Sequence, residues 1–142
     1  MSDAARALTP QGVARFRRVV TGLQRLGVTL DRVYHSPKLR AARTAALLAP
    51  IARGESSATL NLSRTPARPL LAELRGERVA LVGHEPWLGM LAAWLVTGDR
   101  ARGARFPLKK GGVIVLDGTL RAGAMRLVAA LPPRTLRRVG RR

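Results

Sequence analysis

VALVGHEPWLG, residues 79–89, is the stretch on which the reading of this chain turns. Its continuous apolar run, bounded by Arg78 and Gly83, is the pattern of a strand buried in a parallel sheet, because such a strand is covered on both faces. Pro86 to Val96 then predicts a helix with Trp87, Leu88, Leu91 and Leu95 toward the core. A strand that ends on Gly83-His84 and turns at once into a helix sets His84 at the carboxyl end of the sheet, where open α/β sheets take their ligands. A neutral imidazole there can act as base or nucleophile, and a protonated one can stabilise an anion. The same histidine also has a plain reading, as a ring that caps a turn or packs on Trp87. Gly83 and Pro86 on either side bring the two readings level.

A second junction of the same kind lies upstream. Asp31 to His35 reads as a short strand, and Ser36-Pro37 opens a helix through about Ala49, where Pro50 ends it. A helix that begins just after a strand offers free N–H groups and positive dipole character to an anion. Arg40 lies four residues after Ser36, one turn in, where its guanidinium can form a bidentate contact with phosphate. Arg43 points elsewhere, and from spacing alone the favoured reading of both is as solvated surface arginines. His35 reads as an ordinary end-of-strand side chain, and Lys109 and Lys110 as a solvated basic loop. Glu85 can reach the crevice rim, but adjacency to His84 does not make a hydrogen bond. No pair of acids forms a carboxylate dyad, and no spacing suits a metal.

The remaining elements follow from period and punctuation. Thr9 caps a helix with Pro10 in its first turn; Val13, Phe16, Val20 and Leu23 form its apolar stripe, and Gly27 stops it. Residues 53–69 read as a loop with one short strand near Thr59 to Leu62, and Pro69 to Leu74 as a short helical turn. Residues 98–111 read as a basic loop. Gly112 to Leu116 and Met125 to Leu131 are strands, and residues 132–142 a basic tail that frays. Strands alternating with helices argue for an α/β layered fold in a single domain spanning residues 1–142.

Composition limits the alternatives. There is no cysteine, so disulfides and thiolate metal sites are excluded. No apolar run approaches the roughly 20 residues that cross a bilayer, and residues 1–12 lack the pattern of a secretory signal, so a cytoplasmic location and no membrane partner are expected. The 26 basic residues against eight acids give a net charge of +18, which would suit a polyanion partner. Only three of the 26 are lysines, in a chain rich in Ala, Leu, Gly and Pro, as a coding bias would produce. The basic residues are scattered and no aromatic platform accompanies them, so a nucleic-acid partner is not the favoured expectation.

Taken together and in order, LTPQG (8–12), SPKLRAART (36–44), VALVGHEPWLG (79–89) and FPLKKGGVIVL (106–116) resemble the histidine phosphatase superfamily, and within it the short phosphohistidine phosphatases. The resemblance implies a three-layer α/β/α sandwich with a mostly parallel sheet, and phosphoryl transfer to an enzyme histidine followed by hydrolysis, with no metal or other cofactor. It implies a phosphorylated protein, a small phosphoester or inorganic phosphate as partner. Arg40 matches the family's second pocket arginine and His84 its second histidine, so Arg40 and His84 would bind phosphate and His84 would act in catalysis. The chain departs from the pattern in one respect: it contains no R-H-G, the motif that ends the family's first strand and carries the nucleophile. His35 belongs to a different strand and does not replace it. The expectation is therefore a histidine phosphatase-like domain truncated at its N-terminus, whose upstream segment an in-frame reading of the genomic DNA before Met1 would reveal. The competing expectations are a non-catalytic phosphate or phosphoprotein binder and, less favoured, a basic nucleic-acid binder.

Overall fold

The computed structural model describes residues 7–141. The first six residues, part of the stretch read as lacking a secretory signal, and Arg142 of the tail lie outside it. Helix α1 (Pro10–Arg25) begins as expected: the Thr9 hydroxyl accepts the Gly12 N–H at 3.0 Å, and Gly27 follows the helix at φ 81°. Strand β1 (Arg32–His35), helix α2 (Leu39–Leu47), strand β2 (Ser56–Ala58), helix α3 (Arg68–Glu73), strand β3 (Val79–Val82) and helix α4 (Trp87–Thr97) come next. Strands β4 (Val113–Gly118) and β5 (Met125–Leu131) and helix α5 (Pro133–Val139) complete the order.

The strands β2, β1 and β3 form a parallel sheet in that order, while β4 and β5 form a separate antiparallel hairpin. Two apolar clusters occupy opposite sides of these strands. One joins Val19, Val20 and Leu23 of α1 to Val33, Ala45, Leu48 and Leu136, with Ala80, Val82 and Val113 packed against it. The other joins Tyr34, Leu70, Leu91, Trp94 and Leu95, with Val79, Leu81 and Leu116 against it. Alternate residues of β3 thus serve opposite layers, as the period of two along a strand requires. The result is the mixed α/β layering expected, with the core resting mainly on Val, Leu and Ala.

Five expectations need correction. Strand β3 is half-buried along its length rather than buried, and among the described residues its ladder runs to β1 alone. Helix α2 starts at Leu39, not at Ser36: the Ser36 N–H bonds the Val82 carbonyl at 2.9 Å, so the chain stays extended past β1 before it can turn. The short strand is Ser56–Ala58, and Leu60–Leu62 is a 3₁₀ turn, because the buried Thr59 hydroxyl accepts the Asn61 N–H and closes it. The basic loop is itself a 3₁₀ segment over Arg100–Arg105, capped by Asp99 through the Ala101 N–H.

The fifth correction is the tail. It does not fray but folds into α5, with Leu136 fully buried against α1. That side chain alone contributes about 2 kcal/mol. The two helices approach backbone to backbone: a Cβ at Gly22 would overlap the Leu136 carbonyl, and one at Gly140 the Arg18 carbonyl. Arg25 then donates from one guanidinium nitrogen to the Val139 and Arg141 carbonyls at 2.8 and 2.7 Å, satisfying acceptors that the end of α5 leaves open.

Candidate functional site

The parallel ladder pairs Arg32–His35 with Val79–Val82 in register, so β1 and β3 finish side by side. Each then runs into a helix, and the two junctions are tied together by three contacts. The Ser36 N–H bonds the Val82 carbonyl. The Ser36 Oγ lies 2.6 Å from Nε2 of His84. The ammonium of Lys38 sits over the Trp87 ring, 5.9 Å from its centroid. Residues 48 positions apart in sequence therefore build one surface from the SPKLR and GHEPW segments.

Ser36 is completely buried, while His84 is half-buried. A serine 2.6 Å from an imidazole nitrogen is also the spacing of a nucleophile and its base. With 0% of its surface exposed, the Ser36 hydroxyl cannot meet a substrate; it holds the ring instead. A hydroxyl both donates and accepts. It can donate to Nε2 of neutral His84 and accept from Nε2–H of the imidazolium, so one residue fixes the ring in both protonation states. The Lys38 N–H reaches the same oxygen at 3.3 Å. Sequence reasoning had Ser36 only as the opening of a helix. Its role as a partner of His84 leaves no local pattern.

Arg40 stands at the second position of α2, half-buried, in the first turn after this junction. Arg43 is exposed. The N-cap of α2 is Lys38, whose side chain carries donors only and so cannot accept the first-turn N–H groups. The start of α4 is built the opposite way. Glu85 reaches forward, and its Oε1 accepts the Gly89 N–H at 2.6 Å. Its carboxylate thus serves a helix N-terminus. The Glu85–Pro86 peptide is cis.

His35 is buried, and its Nδ1 lies 2.7 Å from the Ser36 carbonyl. A carbonyl only accepts, so Nδ1 carries the proton in this contact. This is the structural role read from sequence. Lys109 and Lys110 are exposed, beside Gly111, which approaches Phe16 and Val19 of α1. The fold does not join them to the His84–Ser36 contact through any hydrogen bond or ion pair among the described residues. The recess between residues 61–70 and the start of α4 holds about 10 Å³, room for one water at most. No group of three or more acids or histidines that could hold a metal occurs among the described residues, and no helix there is long and apolar enough to cross a membrane.

The fold that brings these two strand–helix junctions together has counterparts of known structure. The protein histidine phosphatase SixA complexed with tungstate superposes with a TM-score of 0.76 at 23% identity, covering 95% of this chain and 89% of that one. Proteins assigned as the phosphohistidine phosphatase SixA from Nakamurella multipartitia and Agrobacterium tumefaciens superpose at 0.73 and 0.70, with 22% and 19% identity and 94% of this chain covered in each. They cover 88% and 87% of those chains, respectively. The fold is that of the histidine phosphatase superfamily. More closely, the chain is 35% identical over 141 residues to an uncharacterized protein of Picosynechococcus sp., with 89% of this chain and 78% of that protein covered, and it belongs to that protein's family. No family profile matches the sequence.

Proposed function

We propose that the junction of β1–α2 with β3–α4 is a phosphoryl-binding pocket of the phosphohistidine phosphatase kind, with Arg40 and His84 as its two phosphate-holding residues. The observation that carries this reading is the 2.6 Å contact between buried Ser36 and His84, which holds an imidazole at the end of the sheet beside a basic helix start. The tungstate held by the SixA neighbour, an oxyanion, supports the same reading. The Arg40 guanidinium would grip two phosphoryl oxygens as a planar fork, and the imidazolium of His84 would offset the charge that develops as the phosphoryl group moves. Ser36 acts through His84 and is a positioning residue.

In the reaction so assigned, a nucleophilic histidine takes the phosphoryl group and water then releases it as inorganic phosphate. Phosphohistidine on a protein is the substrate class, with small phosphoesters as the alternative, and the reaction needs no metal. The 142 residues contain two histidines, neither of them in an R-H-G. His35 is buried and bonded to the Ser36 carbonyl, which supports its having no part in the attack. We therefore read this chain as carrying the phosphate-holding half of the site and as having little or no turnover by itself.

The lack of an R-H-G histidine in these 142 residues also favours a second reading, in which the chain binds phosphate or phosphoprotein without catalysis. Assays on phosphohistidine and p-nitrophenyl phosphate test the pair. Binding without turnover is expected of these 142 residues. Robust turnover that survives His35→Ala and disappears in His84→Ala would overturn the assignment of His84 as a supporting residue.

A further inference from the structure

Some of the basic residues that look scattered in sequence gather in space. Helices α1 and α5, 108 positions apart between Arg25 and Pro133, pack backbone to backbone through Gly22 and Gly140, and neither helix contains an acid. Arg18 and Arg25 lie on the stripe of α1 that carries Gly22 toward α5, since residues 18, 22 and 25 recur at helical spacing. On α5 and just beyond it, Arg134, Arg137, Arg138 and Arg141 together line one open recess of about 330 Å³. Six arginines thus share a two-helix face that the close helix contact makes rigid. Arg25 is itself fixed by its bonds to the Val139 and Arg141 carbonyls.

We propose that this face docks the phosphate backbone of duplex nucleic acid. Other polyanions need something the face lacks. Single strands are held by aromatic rings on which bases stack, and the one aromatic of these helices, Phe16, packs against the core. Stable seating on a bilayer requires an apolar face alongside basic charge; the exposed residues of α5 supply arginine and threonine only, and beside them stands one exposed apolar side chain, Leu26 at the end of α1. An acidic protein surface would be anchored by a cluster of aromatic or aliphatic hot spots, where this face offers the single exposed Leu26. A duplex backbone asks only for positive charge in a fixed array, and arginine forks pair with its phosphates without reading sequence. The site lies on the helices that cover one side of the sheet and shares none of its residues with the His84–Ser36 junction.

The test is fluorescence anisotropy with a random-sequence duplex of about 25 bp across a salt series. Arg134, Arg137, Arg138 and Arg141 are replaced together by Gln in one variant. In a second, four exposed arginines elsewhere, Arg53, Arg68, Arg105 and Arg121, are replaced by Gln, giving the same net charge. Removing one arginine–phosphate pair lowers the salt slope by about 0.9, so the α5 variant should fall by roughly 2–4 units of slope and by more than about tenfold in affinity, and the control far less. Equal losses in the two variants would overturn the proposal in favour of bulk charge. Tighter capture by vesicles of anionic lipid than by the duplex would overturn it in favour of a membrane surface. Should the α5 variant fail to fold, amide shifts of the unmodified protein on adding duplex decide: shifts over Arg134–Arg141 and Arg18–Arg25 support the face, and shifts confined elsewhere refute it.

Discussion

Helices α2 and α4 leave the same end of the parallel sheet, one after β1 and one after β3, yet their first turns are built for opposite purposes. At α4 the chain supplies its own anion: the Glu85 carboxylate accepts the Gly89 N–H and neutralises the positive end of the helix. At α2 the N-cap is Lys38 and the second residue is Arg40, so both side chains add positive charge to the same kind of helix end. The α4 junction thus carries its own carboxylate, and the α2 junction two basic side chains. Between them stands His84, delivered by the α4 junction but held by Ser36 of the α2 junction. A strand–helix turn marks where a ligand can sit.

The difference can be broken most forcefully at Arg40. Arg40→Ala should weaken inorganic phosphate by about 10- to 100-fold, the worth of hydrogen bonds to a charged partner, as read by calorimetric titration. Arg40→Lys keeps the charge but loses the fork, and should recover only part of that affinity. Converting the α2 start into the α4 kind is the next largest change. Lys38→Asp supplies an acceptor at the N-cap, which should raise stability by about 0.5–1 kcal/mol in thermal unfolding while lowering phosphate affinity by about tenfold. Unchanged phosphate binding in that variant would show that the contrast between the two helix ends has no bearing on the ligand.

Ser36→Ala sharpens the comparison from the His84 side. It removes a buried hydrogen bond at a cost of about 1 kcal/mol in denaturant unfolding, and it should alter the tautomer balance of His84 in ring-nitrogen NMR spectra. A Ser36 that served only as filler would leave that spectrum unmoved. The smallest effect belongs to Glu85. Glu85→Gln keeps an acceptor for the Gly89 N–H and should cost only about 0.5 kcal/mol, with phosphate affinity unaffected or slightly improved.

The two junctions were not equally legible in the sequence. That of β3 and α4 was, because Gly83 and Pro86 bracket His84 and because the apolar run and the helix have clear periods. The start of α2 reads three residues early: nothing local reveals that the Ser36 N–H is claimed by the Val82 carbonyl across the sheet. The same nonlocal bonding hides Ser36 as a site residue, since its His84 contact spans 48 positions. Residues 132–142 read as a frayed basic tail because their arginines dominate the pattern. A leucine of α5 and two glycines, Leu136, Gly22 and Gly140, hold α5 against α1, and only the packed pair shows it. The half-buried state of β3 also escapes the sequence, because an apolar run predicts the preference of its side chains and not how many neighbours are there to cover them.

Where phosphate binds is the central claim, and an amide-resolved NMR titration with inorganic phosphate measures it. Saturable shifts are predicted at Ser36, at Leu39 to Ala42 in the first turn of α2, and at His84, with Leu88 to Met90 of α4 little moved. Saturable shifts centred on Leu88 to Met90, or absent from Arg40 and His84 altogether, would contradict it.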